Sequence, residues 1–342
     1  MDKDFEELIN KLGKARQDNS PVLQPKVLII DAMNTFLRAF AIINHINPKG
    51  NHIGGLTGCL KSIGYAIKTL NPTRVIVVFE GEGSTNNKKN LFPDYKGNRK
   101  LKRITNFSGF NDQAEESASI ETQLLRLVEY LQCLPIDMTA IDRAEADDTM
   151  AYLATKFQDK NDVVIMSSDQ DFLQLVNDKI SVYSPTKKKI YTPEKITEEY
   201  GLPPHNYFQM KILLGDSSDN IPGVPKLGPK KLIKNFPELQ EDNIVTLSEI
   251  LDKSQSSEGK MYEAVNMFSH QLKINEKLMD LHNPNLSTMM KMEVDDVITQ
   301  PKNTMDKIKF LSMYEQDLLG RSIPNVEAWL INTFTHLMAT KK

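Results

Sequence analysis

The chain has 342 residues, of which 40% are hydrophobic and 25% charged, and its formal net charge is −3. This is the composition of a globular protein with enough length for two ordinary domains, and the net charge by itself argues against a nonspecific nucleic-acid binder. Because no apolar run reaches about eighteen residues and no apolar signal core follows Met1, we expect neither a membrane span nor secretion, but a cytoplasmic protein. Cys59 and Cys133 lack metal-ligand spacing and predict buried, reduced thiols.

Apolar residues at helical or strand spacing predict an α/β domain. Residues 4–16 predict a short amphipathic helix before the main fold. Continuous β-branched runs predict strands buried on both faces, at 26–30, 74–79 and 162–168. Helices are predicted between and after these runs, at about 34–46, 55–70, 119–133 and 145–157. The alternation of strands and helices indicates a parallel sheet.

The pattern changes after the third predicted strand. Residues 180–192 predict a hairpin with a basic turn, and Pro193 is followed by short helices broken by Pro and Gly. From about residue 240 the chain is helical and rich in methionine. Methionine at helical spacing usually fills a core, so we expect packed helices there.

Each of the three predicted strands is followed by an acidic residue: Asp31, Glu80 and Asp169. The carboxyl ends of parallel strands lie along one edge of a sheet, where α/β proteins form their ligand sites. For Asp31 alone, an N-cap explains the residue equally well. Capping does not readily explain three acids at three such ends.

Further acids extend this set to nine carboxylates in five short clusters. The additional members are Glu145, Asp147, Asp148, Asp171, Asp216 and Asp219. Acids in the first turn of a helix are favoured by its dipole, which is the simplest explanation for those at 145–148. Packed together, however, so many carboxylates would repel, and hard divalent cations would relieve the repulsion. Oxygen-only ligands favour Mg²⁺ or Mn²⁺, so the pattern predicts two-metal phosphodiester hydrolysis ahead of a phosphatase or a merely acidic face.

Residues 84–104 are strongly basic, with seven lysines and arginines opposed only by Asp94. The candidate contacts for a polyanion in this stretch are Lys88, Lys89, Lys96 and Arg99. Tyr95 lies among them and would suit stacking on bases. A solvated loop is the alternative, but a long loop inside a compact domain is usually functional or disordered.

The segment "LLGDSSDNIPGVPKLGPKKLIKNF", at 213–236, changes from acidic to basic. It predicts two helices joined by a glycine turn, in which Gly223 and Gly228 allow close approach of the backbone. Amides at a helix N-terminus together with Lys226, Lys230 and Lys231 would bind phosphates. One segment would thus hold cations at one end and a duplex at the other.

Five motifs resemble the 5′ nuclease family. In chain order they are "DAMNTFLRAF", "FPDYKGNRK", "AEADDTMA", "SSDQDFLQL" and "LLGDSSDNIPGVPKLGPKKL", within about residues 26–236. That family includes flap endonucleases, the 5′ nuclease domains of bacterial family-A DNA polymerases, and phage 5′→3′ exonucleases and ribonuclease H proteins. Because no polymerase domain follows, the chain resembles the free-standing phage type.

The resemblance implies a PIN-like α/β nuclease core, a helical arch and a helix-hairpin-helix clamp on DNA. It implies that all the acids named above except Glu80 belong to the metal site, with Asp31 and Asp169 also catalytic. It assigns Lys96 and Arg99 to the scissile phosphate, Arg38 to a place beside the site, and potassium to the hairpin carbonyls. Glu80 departs from the family pattern, since "FEG" replaces the usual "FDG". We nevertheless include Glu80 among the candidate metal ligands.

These inferences divide the chain into four predicted regions. They are an N-terminal amphipathic helix at 1–20, an α/β nuclease core at 21–192 with an arch at about 84–120, a helix-hairpin-helix region at 193–275, and a helical C-terminal region at 276–342. The motifs imply no function for the first and last regions.

The sequence therefore predicts a Mg²⁺-dependent, structure-specific 5′ nuclease. Its expected substrates are branched or flapped DNA and RNA–DNA primer ends, and its expected role is primer removal in phage replication. Whether it also binds replication proteins, such as a single-strand binding protein or a clamp, is left open. Two alternatives stay open as well: a DNA-junction-binding protein with a degenerate metal site, suggested by Glu80, and a metal-dependent phosphatase, which would have no use for the clamp or the basic arch.

Overall fold

A six-stranded sheet forms the centre of the molecule. The computed structural model describes residues 25–100, 106 and 109–339. The strands of this sheet are β1 (Lys26–Asp31), β2 (Arg74–Glu80), β3 (Asp137–Ile141), β4 (Asp162–Met166), β5 (Ile180–Ser184) and β6 (Lys189–Tyr191). Two short strands, β7 (Gly215–Asp216) and β8 (Ile221–Pro222), pair separately.

Helices cover both faces of the sheet and make up most of the chain after β6. Those in the first half are α1 (Ala32–Ile42), α2 (Gly54–Leu70), α3 (Asn86–Leu91), α4 (Gln113–Gln132), α5 (Ala146–Phe157), α6 (Pro193–Tyr200) and α7 (Pro204–Leu214). Those in the second half are α8 (Pro229–Asn235), α9 (Leu247–Ser256), α10 (Lys260–Met267), α11 (Ser269–Met279), α12 (Thr288–Thr299), α13 (Lys307–Gln316) and α14 (Val326–Phe334).

The strand order is β3-β2-β1-β4-β5-β6, and all neighbours are parallel except β5 and β6. The chain builds outward from β1 in one direction through β2 and β3, and in the other through β4 and β5. The order thus reverses beside β1. In open α/β sheets the crevice at such a reversal, outside the carboxyl ends of the strands, is where ligands bind.

The sheet separates two hydrophobic cores. Alternate residues of β1 enter different cores: Val27 and Ile29 join the one that includes α5, α7 and the helices of 247–294. Leu28 and Ile30 join the one that includes α1, α2, α4 and the C-terminal helices. Because both faces are covered, the strands read as continuous apolar runs, which is why they could be predicted from the sequence.

The last helices pack on the back of the nuclease core. Arg126 and Tyr130 of α4 both bind the Asp317 carboxylate, which lies directly after α13. In α14, the indole of Trp329 lies against Gly64 of α2, where an added Cβ would come within 2.6 Å of the ring. The C-terminal helices are therefore part of the second core.

The structure confirms the three predicted strands, the 180–192 hairpin and the general course of the helices. It adds β3, whose residues "DMTAI" contain no continuous β-branched run and lie at the edge of the sheet. Cys59 and Cys133 are both buried and unpaired, as predicted. The predicted helix at 1–20 and the arch residues 101–105 and 107–108 lie outside the described residues.

Our division into four regions stays a prediction. The arch residues that are described form α3, a 3₁₀ turn at Gly97–Lys100 and the start of α4.

In the part of the chain that the structure describes, none of the helices combines the length and apolar character needed to cross a bilayer.

The contact between Gly64 and Trp329 generates a test of how the C-terminal helices are docked. Gly64→Ala should lower the free energy of unfolding by about 1 kcal/mol, because overpacking costs about 1–3 kcal/mol and exceeds the gain in helix propensity of up to about 1 kcal/mol. In a Trp329→Ala background the same change should instead stabilise the protein. Urea unfolding of the four proteins measures both effects, and stabilisation in both backgrounds would contradict the packing described here.

Candidate active site

Asp31 stands at the end of β1 and caps α1. Its Oδ1 accepts a hydrogen bond from the Asn34 amide at 2.9 Å, and its Oδ2 accepts one from Ser167 Oγ at 3.0 Å. Burial raises the pKa of Asp31 to about 6, and the negative charges of Asp169 and Glu80 act in the same direction. Asp31 is thus both an N-cap and part of a charged cluster.

Glu80 ends β2 at the same edge of the sheet. In the register of β1 and β2, Asp31 lies opposite Val78, so Glu80 lies two residues beyond it. Glu80 Oε2 accepts a hydrogen bond from the Ala146 amide in the first turn of α5, at 3.2 Å. Burial raises the pKa of Glu80, as does the nearby charge of Glu145. Although glutamate is one methylene longer than the aspartate of the family pattern, Glu80 therefore belongs to the same group of acids as Asp31.

Asp147, Asp169 and Asp171 are three further acids whose pKa values are raised. Burial raises the pKa of Asp147 well above its usual range, and the charges of Asp169 and Asp31 add to the effect. Burial also raises the pKa of Asp169. The pKa of Asp171 rises to about 6 through burial and the charge of Asp169. These shifts mean that the carboxylates of the cluster lack enough positive charge nearby to offset burial.

Glu145 differs from these residues because lysines neutralise it. It is 1% exposed, and its carboxylate accepts hydrogen bonds from Lys88 Nζ at 2.7 Å, Lys96 Nζ at 2.6 Å and Tyr95 Oη at 2.9 Å. Burial opposes its ionisation, but the two lysines outweigh burial and lower the pKa of Glu145 to about 2. The same tyrosine hydroxyl lies 3.2 Å from Asp219 Oδ2. This network joins the base of the arch to α5 and to the segment between β7 and β8, which contains Asp219.

Asp148 and Asp216 are also paired within the protein. Asp148 Oδ1 accepts the Asn285 amide at 2.8 Å, and its Oδ2 lies 3.6 Å from Lys88 Nζ. Asp216 Oδ2 accepts a hydrogen bond from Lys211 Nζ at 2.6 Å. Both carboxylates thus have an ammonium group close by.

The donor set suits hard divalent cations, although the side chains are not gathered around one in this arrangement. Within residues 25–100, 106 and 109–339, no three His, Cys, Asp or Glu side chains are grouped closely enough to hold a metal ion. Glu145 and Asp216 instead lie 2.6–2.7 Å from lysine ammonium groups. Oxygen-only donors with raised pKa values at Asp31, Asp147 and Asp169 still fit Mg²⁺ or Mn²⁺ better than a softer metal.

Two of the predicted DNA contacts, Lys88 and Tyr95, are buried here, and their contact with DNA stays a prediction. Lys88 and Tyr95 are 8% and 2% exposed, and their polar atoms face Glu145. In this arrangement both side chains stabilise the buried carboxylate of Glu145 by hydrogen bonds. Lys89, by contrast, is exposed.

Two other predicted basic residues border the site. Lys96 bonds Glu145, and its backbone has a φ of 54°. Arg38 Nη1 donates to Ser168 Oγ at 3.0 Å and to Thr186 Oγ1 at 2.9 Å, beside the end of β4. Arg99 lies in the 3₁₀ turn of the arch, and its side chain is outside what the structure describes.

The predicted glycine turn lies between α7 and α8. A Cβ on Gly223 would come within 2.0 Å of the Leu214 carbonyl oxygen, so the close approach is a packing requirement. A Cβ on Gly228 would meet no atom within 4 Å, so any close approach there would be made by a ligand. Lys226, Lys230 and Lys231 are all exposed around Gly228.

Sequence reasoning missed two polar side chains that organise the site. Ser167 Oγ bonds both Asp31 and the Asp169 amide, and it lies inside the "SSDQDF" motif, where the serine could have been noticed. Lys211 lies 2.8 Å from Asp171 Oδ1 as well as 2.6 Å from Asp216 Oδ2. Its sequence signal is one charged residue in the apolar run "MKILL" of α7. Asp171, which has no basic neighbour in sequence, thus has one in space.

Family models match most of the chain. One described as "5'-3' exonuclease, N-terminal resolvase-like domain" matches residues 26–201, and one described as "5'-3' exonuclease, C-terminal SAM fold" matches residues 202–305. Their common boundary falls between α6 and α7. The first model thus covers the sheet with its acidic edge, and the second covers the glycine turn and the helices up to α12.

Curated relatives include 5'-3' exonucleases and DNA polymerase I. A 5'-3' exonuclease of Buchnera aphidicola subsp. Schizaphis graminum is 33% identical over 236 residues, which are 67% of this chain and 75% of the relative. A 5'-3' exonuclease of Bacillus subtilis is 32% identical over 269 residues, which are 75% of this chain and 83% of the relative. DNA polymerase I of the same organism is 32% identical over 263 residues, but these are 27% of that protein.

Solved structures share the fold. The D15 flap endonuclease of bacteriophage T5, in a pseudo-enzyme–product complex with DNA and metal ions, gives a TM-score of 0.62 at 21% identity and covers 85% of this chain and 100% of that one. The catalytic core of Rad2 with a DNA substrate gives 0.52 at 20% identity, covering 92% and 93%. The solved structures show the fold, and the family models and the relatives show that the chain belongs to the 5′–3′ exonuclease family of the 5′ nucleases.

Proposed function

We propose that this family member is a structure-specific nuclease that hydrolyses phosphodiester bonds at the 5′ ends of flapped DNA and RNA-primed DNA. It would use two Mg²⁺ ions, with Mn²⁺ able to replace them, and would remove primers during phage DNA replication. The relatives named as 5'-3' exonucleases support the direction of cleavage. The T5 neighbour, named as a flap endonuclease with DNA and metal ions, supports the substrate and the cofactor.

The observation that carries this proposal is the group of acids at one edge of the sheet, of which Asp31 is buried and Asp147 and Asp169 are partly buried. Asp31, Glu80, Asp147 and Asp169 come from four different segments, and desolvation together with nearby negative charge raises the pKa of each. Such a cluster costs stability unless cations or protons neutralise it. In a nuclease this repulsion would favour binding of the divalent ions that the reaction requires, because the ions neutralise the acids.

The acids at the sheet edge would hold the ions, and the basic residues would hold the substrate. When bound, the ions would activate water and stabilise charge on the scissile phosphate. Ser167 fixes Asp31 and the Asp169 backbone relative to each other, and so orients two of the proposed ligands. Lys96 is held beside the site by Glu145 and would exchange that carboxylate for the scissile phosphate, assisted by Arg99 from the arch.

The glycine turn would hold the duplex. Lys226, Lys230 and Lys231 are exposed around the N-terminus of α8, whose first amides lack intrahelical partners. Potassium would bind the carbonyls of this turn. The turn follows Asp216 and Asp219 directly, so the distance between duplex and metal site is set within one segment of chain.

A DNA-junction-binding protein without catalysis is the rival function, since it could keep the lysine pairs of Glu145 and Asp216 in place of metal ions. A labelled 5′ flap incubated with the protein in Mg²⁺, and separately in EDTA, distinguishes the two. Cleavage that needs Mg²⁺ supports the nuclease, whereas binding without cleavage in either buffer supports the rival.

Asp169→Asn should abolish cleavage, by about a thousand-fold or more, while flap binding stays within a few-fold of wild type. The reason is that the variant removes one charge from the proposed metal site but keeps the size of the side chain and the amide-to-oxygen contact with Asp171. Single-turnover cleavage and a binding titration in Ca²⁺ measure the two quantities. Cleavage near the wild-type rate would rule out the metal assignment.

Glu80→Gln should lose activity and require more Mg²⁺, whereas Glu80→Asp should keep activity. Glutamine can still accept the hydrogen bond from the Ala146 amide, so the first variant removes charge without removing the cap. A Mg²⁺ titration of cleavage by the three proteins measures the difference. If the curves of wild type and Glu80→Gln overlap, Glu80 is a cap of α5 and not part of the metal site.

Replacing Lys230 and Lys231 by Ala should reduce the slope of log affinity against log salt by about 0.9 for each DNA phosphate that is no longer neutralised. Cleavage at saturating duplex should not change, because these lysines are proposed to hold the duplex and not the scissile phosphate. Lys160→Ala is the matched control, since this exposed lysine precedes β4 at the opposite edge of the sheet. Equal salt slopes for the double variant and the control would show that the turn lysines face solvent only.

A further inference from the structure

Lys211 connects the two parts of the molecule that the separate family models match. The lysine and Asp216 belong to the C-terminal part, and Asp171 belongs to the N-terminal part. Lys211 Nζ lies 2.8 Å from Asp171 Oδ1 and 2.6 Å from Asp216 Oδ2, and its side chain is 13% exposed. A single ammonium group therefore bridges Asp171, which follows β4 of the sheet, and Asp216, which precedes the glycine turn.

The surroundings of Lys211 hold it in this place. Its neighbours Met210, Ile212 and Leu213 in α7 are buried and fix the helix against the core. The buried side chain of Asn275 donates to the carbonyl oxygens of Ile212 and Pro222, which ties the end of α7 to the glycine turn. The lysine is therefore built into the joint and does not lie loosely on a surface.

Each of the two acids is also tied to its own segment. Asp216 Oδ1 accepts hydrogen bonds from the Ser218 amide and hydroxyl, at 2.7 and 2.6 Å. The Asp171 amide donates to Asp169 Oδ1 at 2.8 Å. Through these bonds the ammonium group joins the Asp169 loop to the start of the turn. Without it, two half-buried carboxylates would face each other with unbalanced charge.

We propose that Lys211 is a positioning residue that stands in for a divalent cation between Asp171 and Asp216 and leaves them when an ion binds. This inference rests on the proposed function, in which these two acids hold metal. A single positive charge is weaker than a divalent ion, so the bridge keeps the joint assembled in the absence of metal and still yields to the ion. It also sets the ion concentration at which the site fills, because the ammonium group competes for the same oxygens.

Lys211→Met tests the proposal, because methionine keeps the apolar stem and removes the charge. The full chain is melted over a range of MgCl₂ concentrations, with NaCl added to hold the ionic strength constant. We expect the variant to be less stable than wild type without Mg²⁺. We also expect its half-saturating Mg²⁺ concentration to fall by about ten-fold, the change that removal of a competing charge at this distance would bring.

Two controls separate the role in metal binding from loss of an ion pair in general. Lys211→Arg keeps the charge and should restore a half-saturating concentration close to that of wild type. Lys253→Met breaks another lysine–carboxylate pair, with Glu238 at 2.7 Å, which lies outside the acidic cluster. It should leave the Mg²⁺ response of the melting temperature unchanged.

The outcomes distinguish this inference from the proposed function. If wild type responds to Mg²⁺ and Lys211→Met responds at the same concentration, the role of Lys211 is overturned and the metal site stands. If wild type shows no response beyond that of matched NaCl, the metal site and the role of Lys211 both fail. A Lys211→Met chain that folds only with Mg²⁺ supports the proposal, and one that stays unfolded at every Mg²⁺ concentration contradicts it.

Discussion

Repulsion among buried carboxylates at one edge of the sheet is the constraint on which the rest of the site depends. Asp31, Asp147 and Asp169 all have raised pKa values because burial and neighbouring negative charge oppose their ionisation. The fold tolerates this cost because the surrounding strands and helices are held by two large cores, one on each face of the sheet. Charge that would destabilise an isolated loop can therefore be kept in a crevice.

Lysines from other segments balance part of this charge. Lys88 and Lys96 come from the base of the arch and bind Glu145, while Lys211 comes from α7 and binds Asp171 and Asp216. Each ion pair joins a segment that would contact substrate to the sheet that carries the acids. The same ion pairs thus balance the charge of the site and hold the arch and the turn in place. Binding of cations or of DNA would therefore change both the charge balance and the placement of these segments.

The topology of the sheet explains why the acids meet. The strand order reverses beside β1, so the loops after β1 and β4 diverge and leave a crevice between them. Asp31 enters this crevice from one side and Asp169 from the other, and Ser167 bonds to both segments. The C-terminal helices complete the second core, where Asp317 binds Arg126 of α4 and Trp329 lies against Gly64 of α2. They therefore support α2 and α4.

The sequence by itself determined the α/β class, the three central strands and the acids at their ends, because strands buried on both faces leave continuous apolar runs and a polar residue after such a run is conspicuous. It also determined the family, since five motifs stand in order. Only the tertiary structure decided which acids are paired: the sequence assigns Lys88 and Tyr95 to DNA, but they bind Glu145. Lys211 gave no local signal of its pairing, because its partner Asp171 lies forty residues earlier in the chain. Sequence periodicity indicates on which face of its helix or strand a residue lies. The balance of charge, however, depends on which helices, strands and loops meet in space.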